Sequence, residues 1–325
     1  MNPPSKLEPA PGSNSRVRVE TLDETHAGRR IDNVLLSLLK GAPRSLVYKL
    51  LRSGQVRVNG KRAKPHLRIS PGDRIRIPPL EDNQAPAGSV PAHRLDAIAN
   101  CTVYENANYL VVDKPAGLAC HAGTGIRFGL IELLRQLRPD IKRLDLAHRI
   151  DRDTSGLVVL GKNLAALQSF QQQLQCGTVT KRYIALVRGY LADDLTTIDA
   201  ALNIERSEQG ERLSQVDDRG KSASTSVLER ELVGQHTVVN LAIHTGRMHQ
   251  IRAHMQHFGH PVAGDRLYGN AEFNREMRRA GLKRLFLHAT HLAFSDNGDT
   301  IAVDAGLPPA LTEVRENLDG QGQAL

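Results

Sequence analysis

The chain holds only three cysteines, Cys101, Cys120 and Cys176, and none belongs to a Cys-x-x-Cys pair. That excludes a disulfide framework and offers no structural zinc site; the thiols are expected as small buried hydrophobes. No run approaches the ~20 consecutive apolar residues that a membrane span requires, so no membrane partner is expected. The opening MNPPSKLEPAPGSNS has no apolar core of the kind an export signal carries, and a cytoplasmic location is the expectation. Acidic side chains are scarce in one stretch: between positions 40 and 76, Asp73 stands alone against 11 basic residues.

The whole chain carries a formal charge of +8, with an isoelectric point near 9.6. Residues 1–80 hold 16 basic and 6 acidic side chains, so residues 81–325 are slightly acidic at −2. A field so concentrated repels itself and calls for a polyanion. Nucleic acid fits, because phosphate contacts supply most non-specific affinity. An acidic membrane surface does not, since no amphipathic or lipidation signal accompanies the charge.

Residues 1–15, rich in Pro, Ser, Gly and Asn, read as a disordered lead-in. Residues 16–79 read as a small α+β unit. Val34, Leu35, Leu38 and Leu39 have helical spacing, and Leu46, Val47, Leu50 and Leu51 form the stripe of a second helix opened by Pro43 and stopped by Gly54. Asn59-Gly60 predicts a hairpin between alternating segments. Residues 80–97 lose periodicity and gain Pro, Ala and Gly, as a linker does. Residues 98–306 form a larger mixed region. Tyr109–Asp113 and Leu157–Leu160 read as buried strands, Arg127–Leu137 as a helix, and Arg182–Val187 and Val238–His244 as further strands. Asn163 is expected to cap a helix ending at Gly177. Residues 203–222 suit hairpins at a sheet edge, and the polar tail 307–325 is expected to fray.

Three segments are dense in functional groups. The first is Leu146-Ala-His148-Arg149-Ile150-Asp151-Arg152-Asp153-Thr154-Ser155-Gly156. Arginines beside Asp151 favour its charged form, which can act as nucleophile or general base; the same residues also suit a salt-bridged turn before a buried strand. The second, residues 240–261, contains five histidines. No nearby carboxylate or thiolate completes a coordination set, and Gly259 and Pro261 interrupt the helix, so no metal is expected. Met248, Ile251, Met255 and Phe258 are spaced to face a core while Arg247, His249 and Arg252 face a cleft. The third is Tyr183, flanked by Lys181 and Arg182 in a strand.

His148-Arg-Ile-Asp-Arg-Asp-Thr-Ser-Gly156 resembles the HRLDRxTSG signature of the RluA-type pseudouridine synthases, with Ile150 in place of the usual Leu. The resemblance extends, in the family's order, to Asp113-Lys-Pro-Ala-Gly117 with His121, Lys181-Arg-Tyr183, Gly246-Arg-Met-His-Gln-Ile-Arg252, Gly259-His-Pro261, Gly264-Asp-Arg-Leu-Tyr-Gly269 and Leu287-His-Ala289. The basic unit resembles the S4-like RNA-binding domain that precedes the catalytic domain in such enzymes. Arg29-Arg-Ile-Asp32, Arg57-Val-Asn-Gly-Lys-Arg-Ala-Lys-Pro65 and Arg127-Phe-Gly-Leu-Ile-Glu132 look most like the RluC group.

The resemblance implies an α+β chain: an S4-like unit, then a catalytic domain on a mixed, largely antiparallel sheet with flanking helices. It implies isomerisation of uridines in 23S ribosomal RNA or a large-subunit precursor, by a monomer, without metal or cofactor. Asp151 would be the nucleophile, Tyr183 would stack on the uracil, and Arg252 would pair with the nucleophile. Arg149 would fill the gap left by the flipped nucleotide. His148, Arg152, Thr154, Arg247 and His249 are expected around the substrate, and Lys49, Arg52, Lys61, Arg62 and Lys64 on RNA. Alternatives are another RluA-type group acting on ribosomal or transfer RNA, a non-catalytic S4-like RNA-binding protein, and a metal-dependent nuclease using the histidines. The intact Asp151, Tyr183 and Arg252 argue against the second alternative.

Overall fold

The computed structural model describes residues 17–39, 42, 44–79, 92–123, 126, 128–207 and 210–322. The expected lead-in, Pro43, Arg127 and linker positions 80–91 lie outside them. The chain divides into two compact units, Met1–Ser89 and Val90–Leu325.

The first unit contains β1 (Arg18–Thr21), α1 (Ile31–Leu38), α2 (Arg44–Arg52), β2 (Arg57–Val58), β3 (Lys61–Arg62) and β4 (Arg74–Ile77). Its four strands form an antiparallel sheet in the order β1-β4-β2-β3. Asn59 and Gly60 both adopt positive φ, at 48° and 77°, as a two-residue hairpin turn whose twist matches its strands requires. Alternation along β4 sends Ile75 and Ile77 inward and Arg74 and Arg76 outward. Val34, Leu35, Val47, Leu50 and Leu51 meet them in one core. Buried Asp32 ties the two helices, accepting from Arg30 at 2.6 Å and from the Tyr48 hydroxyl at 2.9 Å.

The second unit opens with α3 (Ala92–Ala99), β5 (Thr102–Glu105), β6 (Tyr109–Lys114), α4 (Leu130–Leu137), β7 (Asp145–Leu146), β8 (Ser155–Gly161), α5 (Leu164–Cys176) and β9 (Thr180–Val187). It continues with β10 (Thr197–Asp199), β11 (Leu202–Arg206), β12 (Arg212–Val216), β13 (Ser224–Val233), β14 (His236–Ile243), α6 (Gln250–His257), α7 (Ala271–Arg279), β15 (Leu287–Asp296), β16 (Asp299–Asp304) and α8 (Pro309–Gly322). The main sheet runs β10-β13-β14-β9-β15-β8-β6-β5, with β16 on β15 and β7 on β8. Every pairing is antiparallel except β15 with β8. Both faces are covered. Leu110, Val112, Val158 and Leu160 pack with α4, while Tyr109, Val111, Leu157 and Val159 pack with α5. In the other half, Ala185, Val239 and Leu241 meet α6, and Leu186 and Val238 meet α7 and α8.

Several expectations need correction. Residues 92–97 are helix rather than linker, because Ile98 and Leu95 belong to the core beneath α4. The tail is helical over Pro309–Gly322 rather than frayed: Leu311, Val314 and Leu318 recur at helical spacing and are buried, and positions 323–325 lie outside the described residues. The helix expected from Arg127 starts at Leu130, where Glu132 reaches back to the Gly129 amide at 2.9 Å. Strands β11 and β12 form a separate two-stranded sheet instead of an edge of the main one. Phe258 lies beyond the end of α6 and is exposed, because Gly259 at φ 84° turns the chain away. Among the described residues no helix is long and apolar enough to cross a membrane.

Candidate active site

Asp151 sits in the loop that enters β8 at the centre of the main sheet. There the parallel β15–β8 pairing places Ser155 opposite His288 and Gly156 opposite Ala289. Gly156 has φ 111°, and a Cβ on it would stand 2.2 Å from the Ala289 carbonyl oxygen. Only glycine lets the strands approach there. The Ser155 hydroxyl is bonded to His288 Nδ1 at 2.7 Å and accepts from Arg284 at 2.6 Å. From β6, the fully buried Lys114 donates to the carbonyls of Pro115, Leu118 and Arg152, at 2.9, 2.7 and 3.1 Å. Burial pushes its pKa down to about 8. The loop is thus held from both neighbouring strands.

A cleft of about 430 Å³ opens over this loop, lined by Arg149, Asp151, Thr154, Tyr183, Arg247, His249 and Arg252, with Ile243 and Leu287 as apolar walls. Tyr183 lies in mid-β9, between Leu241 and Ala289, and is 7% exposed. Burial, with Asp151 second, pushes its phenol pKa up.

Arg252 projects from α6 and is 4% exposed. Its Nη1 lies 3.5 Å from Asp151 Oδ2. Its Nε and Nη2 donate to Asp265 at 2.7 and 2.8 Å, and its guanidinium lies 5.0 Å from the Tyr268 ring centroid. Burial works against this charge, but Asp265 and Asp151 outweigh it and hold the pKa above its ordinary value. Asp265 in turn accepts from the amides of Leu267 and Tyr268 at 2.9 and 3.0 Å.

His249 caps α6 in the left-handed region, at φ 54°, a conformation costly for a non-glycine residue and concentrated at functional sites. That turn places Nε2 3.9 Å from Asp151 and Nδ1 3.0 Å from the Tyr268 hydroxyl. Burial lowers its pKa, with Asp151 partly opposing. Tyr268 accepts from the Ser214 amide at 2.7 Å, so the β12 hairpin is tied to the cleft wall. Gln250 braces the preceding loop, accepting from Thr245 Oγ1 at 2.7 Å and from the Arg247 amide at 3.1 Å.

The other expected residues are divided. Arg149 and Arg247 are exposed at the cleft, Arg247 donating to the Ser222 carbonyl at 2.9 Å. Thr154 is buried in its lining. Arg152 is not the cation beside Asp151; it turns to Asp153 at 3.0 Å. His148 faces inward: its ring stacks on Phe170 at 5.6 Å, and Nε2 accepts from the Val159 amide at 3.0 Å. Burial lowers its pKa to about 3. It also lines a groove of about 700 Å³ beside the cleft, with Arg149, Lys181 and Tyr183. Lys49, Arg52, Lys61, Arg62 and Lys64 all lie in the first unit; Lys49, Lys61 and Lys64 are exposed, while Arg62 donates to the Arg52 carbonyl. Among the clustered histidines, His254 is bonded to Thr225 Oγ1 and the Ala200 carbonyl at 3.0 and 2.9 Å, and His260 to the Arg188 carbonyl at 2.8 Å.

Lys114, Asp265, Tyr268, Arg284 and His288 were not singled out by chemistry. Their signal was present as the Asp113–Gly117, Gly264–Gly269 and Leu287–Ala289 motifs, and for Arg284 only as a charge near the last of these.

Comparison with known proteins identifies the family. Residues 108–257 match the family described as RNA pseudouridylate synthase, and residues 29–75 match the S4 domain. The chain is 41% identical over 310 residues to ribosomal large subunit pseudouridine synthase C of Haemophilus influenzae, covering 94% of this chain and 96% of that protein. It is 40% identical over 308 residues to the Escherichia coli K12 protein of the same name, covering 93% and 97%. Human RNA pseudouridylate synthase domain containing 1 superposes with a TM-score of 0.51 at 28% identity, over 65% of this chain and 85% of that one. With the signature loop, the KxY strand and the arginine helix converging on one cleft, and with this identity over nearly the full length, the chain belongs to the RNA pseudouridylate synthase family and is an RNA pseudouridine synthase.

Proposed function

We propose that the chain converts specific uridines of 23S ribosomal RNA, or of a large-subunit precursor, to pseudouridine, acting as a cytoplasmic monomer without a cofactor. The N1–C1′ bond of a flipped uridine breaks, the uracil turns, and a C5–C1′ bond forms; C5 loses its proton and N1 gains one. Asp151 is the nucleophile, Arg252 holds it charged, and Tyr183 stacks on the base. Arg149 occupies the space the extruded nucleotide leaves, and Thr154, Arg247 and His249 contact the substrate around it. Lys49, Arg52, Lys61, Arg62 and Lys64 of the S4 unit contact RNA phosphates. The observation that carries this reading is the Asp151 carboxylate in the cleft, 3.5 Å from a buried arginine and beside a buried tyrosine.

Pseudouridine mapping in ribosomal RNA from cells with and without this protein tests it. The expected result is loss of pseudouridine at one or a few 23S positions, restored by the wild-type gene and not by Asp151→Asn. An unchanged map would overturn the assignment.

A further inference from the structure

We propose that Arg266, Arg275 and Arg278 form a second RNA-phosphate site, a basic groove on the catalytic unit beside the Asp265–Arg252 pair.

Helix α7 has two stripes. Phe273 and Met277 are buried in the apolar cluster under α8. Ala271, Asn274, Arg275 and Arg278 fall at i, i+3, i+4 and i+7, one face of a helix. With Asp265, Arg266 and Gly269 they line a groove of about 750 Å³. Residues 266–284 contain six basic side chains against Glu272 and Glu276, within a region, 81–325, that is net acidic. The overall charge count therefore conceals a local basic patch.

The groove's other polar groups are already committed. Asn274 accepts from the Gly264 amide and donates to the Asp265 carbonyl, at 2.9 and 2.8 Å. The Asp265 carboxylate is taken by Arg252 and two amides. Glu276, on the same helix but outside the groove lining, is bonded to His236 at 2.8 Å. Arg266, Arg275 and Arg278, by contrast, make no ion pair and no side-chain hydrogen bond among the described residues. Three uncompensated guanidiniums around one concavity repel each other, and a phosphodiester backbone relieves that repulsion while offering bidentate partners. Asp265 links the groove to the cleft: it lines the groove and holds Arg252, which lines the cleft. Burial works against the Asp153 charge, yet Arg152, Arg252 and Arg266 hold its carboxyl below the usual range, so Arg266 is within electrostatic reach of the Asp151 loop. RNA flanking the flipped nucleotide is the occupant this placement fits.

The proposal rests on the reading of the chain as an RNA-modifying enzyme. The test uses the full-length protein, an in vitro transcript of 23S RNA spanning its target, and binding titrations over a range of KCl concentrations. Arg275→Glu with Arg278→Glu should lower affinity at least about tenfold at moderate salt and flatten the slope of log affinity against log salt by about 1.4–1.8, at ~0.7–0.9 per phosphate contact. The paired Arg→Lys variant should retain most of the slope. If the charge reversal melts early, Arg275→Gln with Arg278→Gln replaces it, with the same flattening expected. Unchanged affinity and slope in a folded variant would overturn the groove. A wild-type protein that forms no pseudouridine would overturn the enzymatic reading alone, since the salt slope still decides the groove.

Discussion

The Nη1 atom of Arg252 lies 3.5 Å from Oδ2 of Asp151. That separation is longer than a charge-assisted hydrogen bond, so the arginine supplies field to the carboxylate while spending its directed bonds elsewhere. Asp265 takes those bonds. The oxygens of Asp151 therefore stay free to approach a substrate, next to a cation that cannot swing away.

Replacing Asp151 by Asn keeps the shape and removes the nucleophile. Turnover should fall at least about 10²-fold, the lower end of what a positioned reacting group contributes, with RNA affinity within a few-fold of wild type. Tritium release from 5-labelled uridine in target RNA measures it. Turnover within about tenfold of wild type would remove Asp151 from its role.

Asp265→Ala leaves the Arg252 guanidinium buried and half-paired. Breaking a buried ion pair costs about 3–5 kcal/mol, and the arginine loses its aim at Asp151. Asp265→Asn retains an acceptor for the Leu267 and Tyr268 amides and should lose less stability. Urea melts of both variants beside turnover test this ordering; an Ala variant as stable as wild type contradicts it.

Gly156→Ala places a methyl 2.2 Å from a backbone oxygen at φ 111°. The obstructing atoms are all Ala289 backbone rather than a flexible side chain, so the loss should exceed about 3 kcal/mol, beyond ordinary overpacking. Gly117→Ala, at φ 80° with nothing within 4 Å, should cost only about 1–2 kcal/mol for the left-handed backbone. Equal melting temperatures for the two variants would refute the steric account.

Acid should destabilise the fold through two inward-facing imidazoles, buried His288 and half-buried His148. Burial lowers His148 to about 3 and His288 to about 4, from 6.5. Their stabilisation is complete above pH 6.5. Below it the unfolded rings protonate first, so stability falls as pH drops towards 4, with a slope approaching about 1.4 kcal/mol per pH unit for each ring. His148→Gln should flatten that slope. Denaturation midpoints independent of pH between 7 and 4 would contradict the burial argument.

What could be read from the sequence was local in origin. Asn163 caps α5 by accepting from the Ala166 amide at 2.8 Å, and Gly177 ends it at φ 71°. Asn59-Gly60 makes the hairpin, and the continuous apolar runs of β6 and β8 are buried throughout but for Asp113. Each follows from chemistry within a few residues. The concentration of positive charge before residue 80 is likewise a property of composition, and the motif Asp, Tyr and Arg were recognisable because the resemblance names residue types in order.

Tertiary structure decided which groups meet. The cation beside Asp151 is Arg252 from α6, not its chain neighbour Arg152, because successive side chains in an extended loop point in different directions. For the same reason His148 turns inward while its immediate neighbour, exposed Arg149, and half-buried Asp151, three residues on, reach the cleft wall. Asp265 and Lys114 gain their importance from burial, which sheet register and helix packing impose and which linear spacing does not encode. The α8 stripe of Leu311, Val314 and Leu318 was present in the sequence, but its polar surroundings outweighed it until a complementary apolar surface, under α7 and β14, stood opposite.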